Sequence, residues 1–107
     1  MKQDLQLKSR VKEILKIVQQ VSPGNSVELR IPPYAAIQCV PGSVHKRGTP
    51  PNVVEMSGQT LIELISNPGN WDELCSKGLI SASGTKANLE DLLSKVSKLA
   101  PSLRQEM

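Results

Sequence analysis

The chain has 107 residues with 13 basic and 10 acidic side chains, a net charge of +3, and two cysteines. That length accommodates one core, and no stretch approaches the roughly 20 apolar residues that a membrane-spanning helix needs. Phe is absent, Tyr34 and Trp71 are the only aromatic residues, and the basic excess is mild. Stacking on bases or flavins therefore lacks material, and no nucleic acid is expected as a partner.

Residues 3 to 21 predict an amphipathic helix. Leu7, Val11, Ile14, Leu15, Val18 and Val21 recur at helical spacing, and Ile17 widens the stripe. Lys8, Lys12 and Lys16 line another face. They have two readings, a weak contact with anionic membrane surfaces and the ordinary solvated side of such a helix. Ser22-Pro23-Gly24-Asn25 stops the helix.

Val27-Glu28-Leu29-Arg30-Ile31 alternates apolar and charged residues, as a half-buried strand does. After Pro32-Pro33, residues 34 to 40 form the expected hairpin partner. Residues 41 to 51 read as loop, with a short strand near 43 to 47, and Asn52-Val53-Val54-Glu55-Met56 is a further strand. Ser57 is placed to cap a helix carrying Leu61, Ile62, Leu64 and Ile65. Asn67-Pro68-Gly69 ends it. Asn70 and Glu73 have the spacing of a capping box, opening a short helix with Trp71, Leu74 and Cys75 inward. Gly78 stands where a left-handed cap belongs. Residues 79 to 83 form the last strand, and Asn88 caps a final helix whose Leu89, Leu92, Leu93, Val96 and Leu99 share a face. Strands grouped before helices, without regular alternation, predict an α+β sheet with helices on one side.

Motif chemistry gives little. His45 is the only histidine and Cys39 and Cys75 are far apart in sequence, so no metal-ligand pair exists at a working spacing and no metal is expected. Gly78-Leu-Ile-Ser-Ala-Ser-Gly-Thr85-Lys86 has one residue too many for a phosphate loop, and its Thr precedes its Lys. Cys39 and His45, with Glu28 or Glu55 to orient the imidazole, are the raw material of a thiol nucleophile. Against this, Cys39 sits in an apolar strand, where a cysteine packs and does not react. No disulfide framework is suggested, and a cytoplasmic location is expected.

Two segments add a resemblance. Val27-Glu-Leu-Arg-Ile-Pro-Pro-Tyr-Ala-Ala-Ile-Gln-Cys39 and His45-Lys-Arg-Gly-Thr-Pro-Pro-Asn-Val-Val-Glu55 look like a group of small bacterial sterol carrier family proteins. The glycine-bounded strand Gly78-Leu-Ile-Ser-Ala-Ser-Gly84, between an apolar helix and a leucine-rich one, resembles the wider type-2 sterol carrier domain. Together they cover residues 27 to 95, and the first helix agrees in position and character.

The resemblance implies an α+β fold: a mixed, mostly antiparallel sheet of about five short strands covered by helices. It implies a single domain over residues 1 to 107, with the first helix in 1 to 21, sheet and helices in 27 to 99, and a frayed tail from 102 to 107. It further implies non-catalytic binding or transfer of an apolar, lipid-like ligand (fatty acid, acyl-coenzyme A, phospholipid or sterol-like) in an internal cavity, with no cofactor. Carried onto this sequence, the cavity wall is Val53, Leu61, Leu64, Ile65, Trp71, Leu74, Ile80, Leu92, Leu93 and Val96. His45, Arg47 and Asn52 are placed for a polar head contact. The alternative on the same fold is an accessory module with a filled core and a protein partner, presenting residues 45 to 55.

Overall fold

The computed structural model describes residues 4–42 and 52–99. Helix α1 (Leu5–Val21) begins just ahead of its apolar stripe, where Asp4 caps it, its carboxylate accepting from the Leu7 amide at 3.0 Å. Val11, Ile14, Leu15 and Val18 are buried, while Leu7, Ile17 and Val21 lie half-buried at the margins.

Strands β1 (Val27–Ile31) and β2 (Ala35–Cys39) form the expected antiparallel hairpin, with Leu29 opposite Ile37. A cis Pro32-Pro33 bond lies in their turn, and the Tyr34 amide donates to the Ile31 carbonyl at 2.8 Å. Strand β3 (Asn52–Met56) joins the other side of β1 in parallel, and β4 (Ile80–Ser83) pairs antiparallel with β3. The sheet order is β2-β1-β3-β4. The sheet is thus mixed as expected, with four strands among the described residues where about five were anticipated. The short strand anticipated near 43 to 47 lies outside them.

Ser57 caps α2 (Gly58–Ser66) as its position suggested, its hydroxyl accepting from the Thr60 amide at 3.1 Å. A 3₁₀ turn, Pro68–Asn70, leads directly into α3 (Trp71–Ser76). The expected capping box is therefore not formed. Asn70 is the last residue of the turn, and its side chain makes no capping hydrogen bond. At the other end Gly78 has φ +76°, and the Leu79 amide reaches back to the Leu74 carbonyl at 3.0 Å. That is the left-handed helix closure that glycine permits.

The last helix, α4 (Glu90–Leu99), follows Asn88, whose side-chain oxygen accepts from the Glu90 amide at 2.9 Å. Leu99, assigned to the apolar face by its spacing, is instead 66% exposed. Ser97 is buried in that helix, its hydroxyl donating to the Ile65 carbonyl of α2.

Period two decides where the strands face. Val27, Leu29, Ile31, Cys39, Val54, Met56 and Ile80 join one hydrophobic cluster with the inner stripes of α1, α2 and α4. Arg30, Ala36, Glu55, Ser81 and Ser83 lie exposed on the opposite side, which leaves that face of the sheet polar. Among the described residues no buried side-chain nitrogen or oxygen lacks a hydrogen-bond partner.

Candidate functional site

The layer between the sheet and its helices is the first place to look. Leu61, Leu64 and Ile65 descend from α2, Trp71 and Leu74 from α3, Ile80 from β4, and Leu92, Leu93 and Val96 from α4. All belong to, or pack against, the same cluster. Val53 does not join them. Its neighbour Val54 takes the inward position, and Val53 lies half-buried on the other face, paired with Glu28 and Ser83.

How tightly this layer is filled bears on what it does. Leu61, Leu64, Ile65, Leu93 and Val96 have no accessible surface at all. A side chain of that kind borders no void large enough for a water molecule. Trp71, Leu74 and Ile80 are exposed by at most 4%. In the arrangement described, these residues close on one another in the close-packed manner of a protein interior.

Of the polar candidates, Asn52 alone lies among the described residues, and His45 and Arg47 lie outside them. Asn52 is 3% exposed, and both ends of its amide are engaged. Its nitrogen donates to the Ser26 carbonyl at 2.8 Å, and its oxygen accepts from the Lys86 amide at 2.9 Å. These bonds tie the starts of β1 and β3 to the turn after β4. The Ser26 hydroxyl also donates to the Val40 carbonyl at 2.7 Å, and the Lys86 ammonium donates to the Pro41 carbonyl at 3.4 Å. Two glycines make this clasp possible. A side chain on Gly24 would clash with the Val40 carbonyl oxygen, and one on Gly84 with the Asn52 amide oxygen.

Cys39 is fully buried, and burial pushes its thiol pKa up to about 11. It therefore stays protonated near neutral pH, the opposite of what a nucleophile needs. Glu28, one of the two carboxylates considered for orienting an imidazole, pairs with Arg30 on the open face of the sheet. Cys75 is half-buried, and its thiol is also pushed up, by burial and then by the charge of Asp72. Among the described residues no group of three or more His, Cys, Asp or Glu side chains is placed to hold a metal ion, and no helix is long and apolar enough to cross a membrane.

A second location comes from the packing of α1 on α2. Leu7, Arg10, Gln59, Ile62 and Glu63 line a surface cleft of about 390 Å³. The helices approach closely at Gly58, where a side chain would lie 3.1 Å from Val11 Cγ2. Spacing places Leu7 and Ile62 on apolar helix faces, but nothing in the sequence singles out Arg10, Gln59 or Glu63 or joins the five into a cleft. Their only signal is spacing, since Leu7 and Arg10 are three apart on one helix and Gln59, Ile62 and Glu63 share one side of the other.

The α+β architecture and the aliphatic layer agree with comparison to known families. The family model described as bacterial SCP ortholog matches residues 3–94, which extends the likeness across α1 as well as the sheet. No curated protein matches the chain. The chain belongs to the bacterial family of sterol carrier protein orthologs.

Proposed function

We propose that the chain binds and transfers an apolar, lipid-like ligand between its sheet and its helices, without catalysis. The observation that carries this reading is the convergence of the α2, α3, β4 and α4 wall residues into one aliphatic cluster, in a chain of the carrier family. A fatty acid, the acyl chain of an acyl-coenzyme A or phospholipid, or a sterol-like ring system would be held there by area. Each Å² of apolar surface removed from water contributes about 25 cal/mol. Because the wall residues of α2 and α4 are closed against one another, entry requires those helices to move apart, a minor state that a ligand then populates. The exposed row of α1 belongs to the same proposal. Lys12 and Lys16 are exposed and Lys8 is half-buried, and such a row favours delivery at anionic membrane surfaces. The protected thiols suit the reducing cytoplasm.

A second reading is favoured by one specific observation, the complete burial of Leu61, Leu64, Ile65, Leu93 and Val96. It makes the same layer a permanently filled core and the protein an accessory or protein-interaction module. Native mass spectrometry of freshly purified protein, followed by organic extraction, separates the two. The carrier reading expects a co-purifying mass in the fatty-acid or phospholipid range. A clean apo mass that also ignores added fatty acid, acyl-coenzyme A and sterol overturns it in favour of the module. Leu64→Trp sharpens the result: overpacking of the closed layer should cost about 1–3 kcal/mol in either reading, but only the carrier reading expects the substitution to abolish binding of a ligand that the wild type takes up.

A further inference from the structure

The two outer strands of the sheet are finished differently. At β2, α1 packs alongside, and the Gln19 side-chain amide donates to the Gln38 carbonyl at 3.3 Å. Just past that strand the Val40 amide donates to the Ser22 carbonyl at 2.8 Å. β4 stands at the other end of the order and, among the described residues, is paired with β3 alone. Ser81, Ala82 and Ser83 are exposed, and Leu79 just before them is 48% exposed. Ala82 pairs with the buried Val54 and shares its side of the sheet, yet it is open to solvent, so the helical layer stops short of this strand. Charged residues and proline ordinarily deter an edge strand from pairing with another chain. From Gly78 to Thr85 there is neither.

We infer that β4 is a self-association edge: two copies of the chain pair antiparallel through it, about a two-fold axis at Ala82, and their sheets become continuous. A two-fold contact must be complementary to itself, and Ser81-Ala82-Ser83 reads the same in both directions. In that register Ser81 faces Ser83 of the second copy, twice, where hydroxyls can bond across the seam. Ala82 faces itself and is small enough to do so. The open face continues without conflict. Arg30, Glu55 and Ser81 form one row, and Glu28, Val53 and Ser83 the next. The two-fold joins the first row of one copy to the second row of the other, so serines meet at the seam and like charges do not.

The strand is only four residues long. It buries far less than the roughly 1,200 Å² at which stable specific interfaces begin, although the exposed Leu79 adds apolar area at each end. The pair is therefore a weak one that forms and parts with concentration. Backbone groups make this contact, so it does not rest on the carrier reading.

Sedimentation equilibrium of the full chain from about 0.01 to 1 mM tests it. The expected result is a mass that rises from monomer toward dimer, with concentration-dependent amide shifts confined to residues 79 to 84. Ser81→Lys with Ser83→Lys sets lysine opposite lysine twice and should weaken the dimer roughly tenfold, whereas Ser81→Lys with Ser83→Glu sets opposite charges and should tighten it a few-fold, by about the worth of two cross-strand ion pairs. All four side chains lie on the exposed face, so the melting temperature of the monomer should hold. Should the double lysine protein melt early, the tightening by the lysine–glutamate pair decides the matter. A mass that stays monomeric over the whole range overturns the inference. So does equal association of the two variants, which would place the contact elsewhere, and so does growth beyond a dimer, because a two-fold seam closes on itself.

Discussion

On one side of the sheet Val27, Leu29 and Ile31 have no accessible surface. On the other, one residue along, Glu28 and Arg30 pair with each other near solvent. The same strands make both faces, so propensity and backbone hydrogen bonding are shared, and what differs is only the side on which helices lie. The comparison teaches where this chain keeps its stability. The inward face is held by removed apolar area and close packing, and the outward face by interactions that water largely screens.

The comparison breaks most sharply at neighbouring positions. Leu29→Ala leaves a cavity beneath α1, α2 and α4 and should cost about 2–5 kcal/mol by urea denaturation. A loss below 1 kcal/mol would mean that the layer readily collapses or already has room. Asn52→Ala removes the polar exception on the buried face. It strands the Ser26 carbonyl and the Lys86 amide and should cost about 1–3 kcal/mol, read as a lowered denaturation midpoint at unchanged slope.

Cys39 tests the same face by pH. Its thiol ionises at about 11 in the fold against about 9 when unfolded, so between those values the unfolded chain holds fewer protons. Stability is therefore complete below about pH 9 and falls as pH rises toward 11, by at most about 1.4 kcal/mol per pH unit. The difference between the wild type and Cys39→Ala, followed from pH 8 to 11.5, isolates this contribution, and parallel curves would show that the thiol is not protected. Arg30→Ala, on the open face, should change stability by no more than about 0.5 kcal/mol. Its small effect should shrink further in 1 M salt.

The elements were legible wherever a residue type has one local use. Asp4 was missed as a cap, but the stripe behind it was not, because burial repeats every three to four residues over five turns. Ser57, Gly78 and Asn88 act through bonds to their own helix ends, which the sequence displays directly. Asn70 and Glu73 have the spacing of a box, yet the preceding Pro68 starts a 3₁₀ turn that places Asn70 in helical continuity. Leu99 shows the limit at a helix end, where spacing places a residue on a face that no neighbour covers.

The site was harder to read for the same reason. Trp71, Leu74 and Leu93 could be placed inward from local periodicity, their role as a cavity wall being implied only by the family resemblance, but Val53 and Val54 are adjacent and only the sheet's parity selects Val54. The cleft of Arg10 and Glu63 joins residues from two helices separated by the whole hairpin. Asn52 looks in sequence like any polar strand-start residue, and only the fold shows that its amide serves Ser26 and Lys86.

That clasp has a further consequence for how the chain can vary. Ser26, Val40, Pro41, Asn52 and Lys86 hold the neighbouring strand ends at one edge of the molecule, so Gly42 and Asn52 are fixed points whatever joins them. Each doubling of a flexible loop costs only about 0.6 kcal/mol in closure entropy, so an insertion placed between these two points should leave the clasp, and the scaffold that it holds, in place.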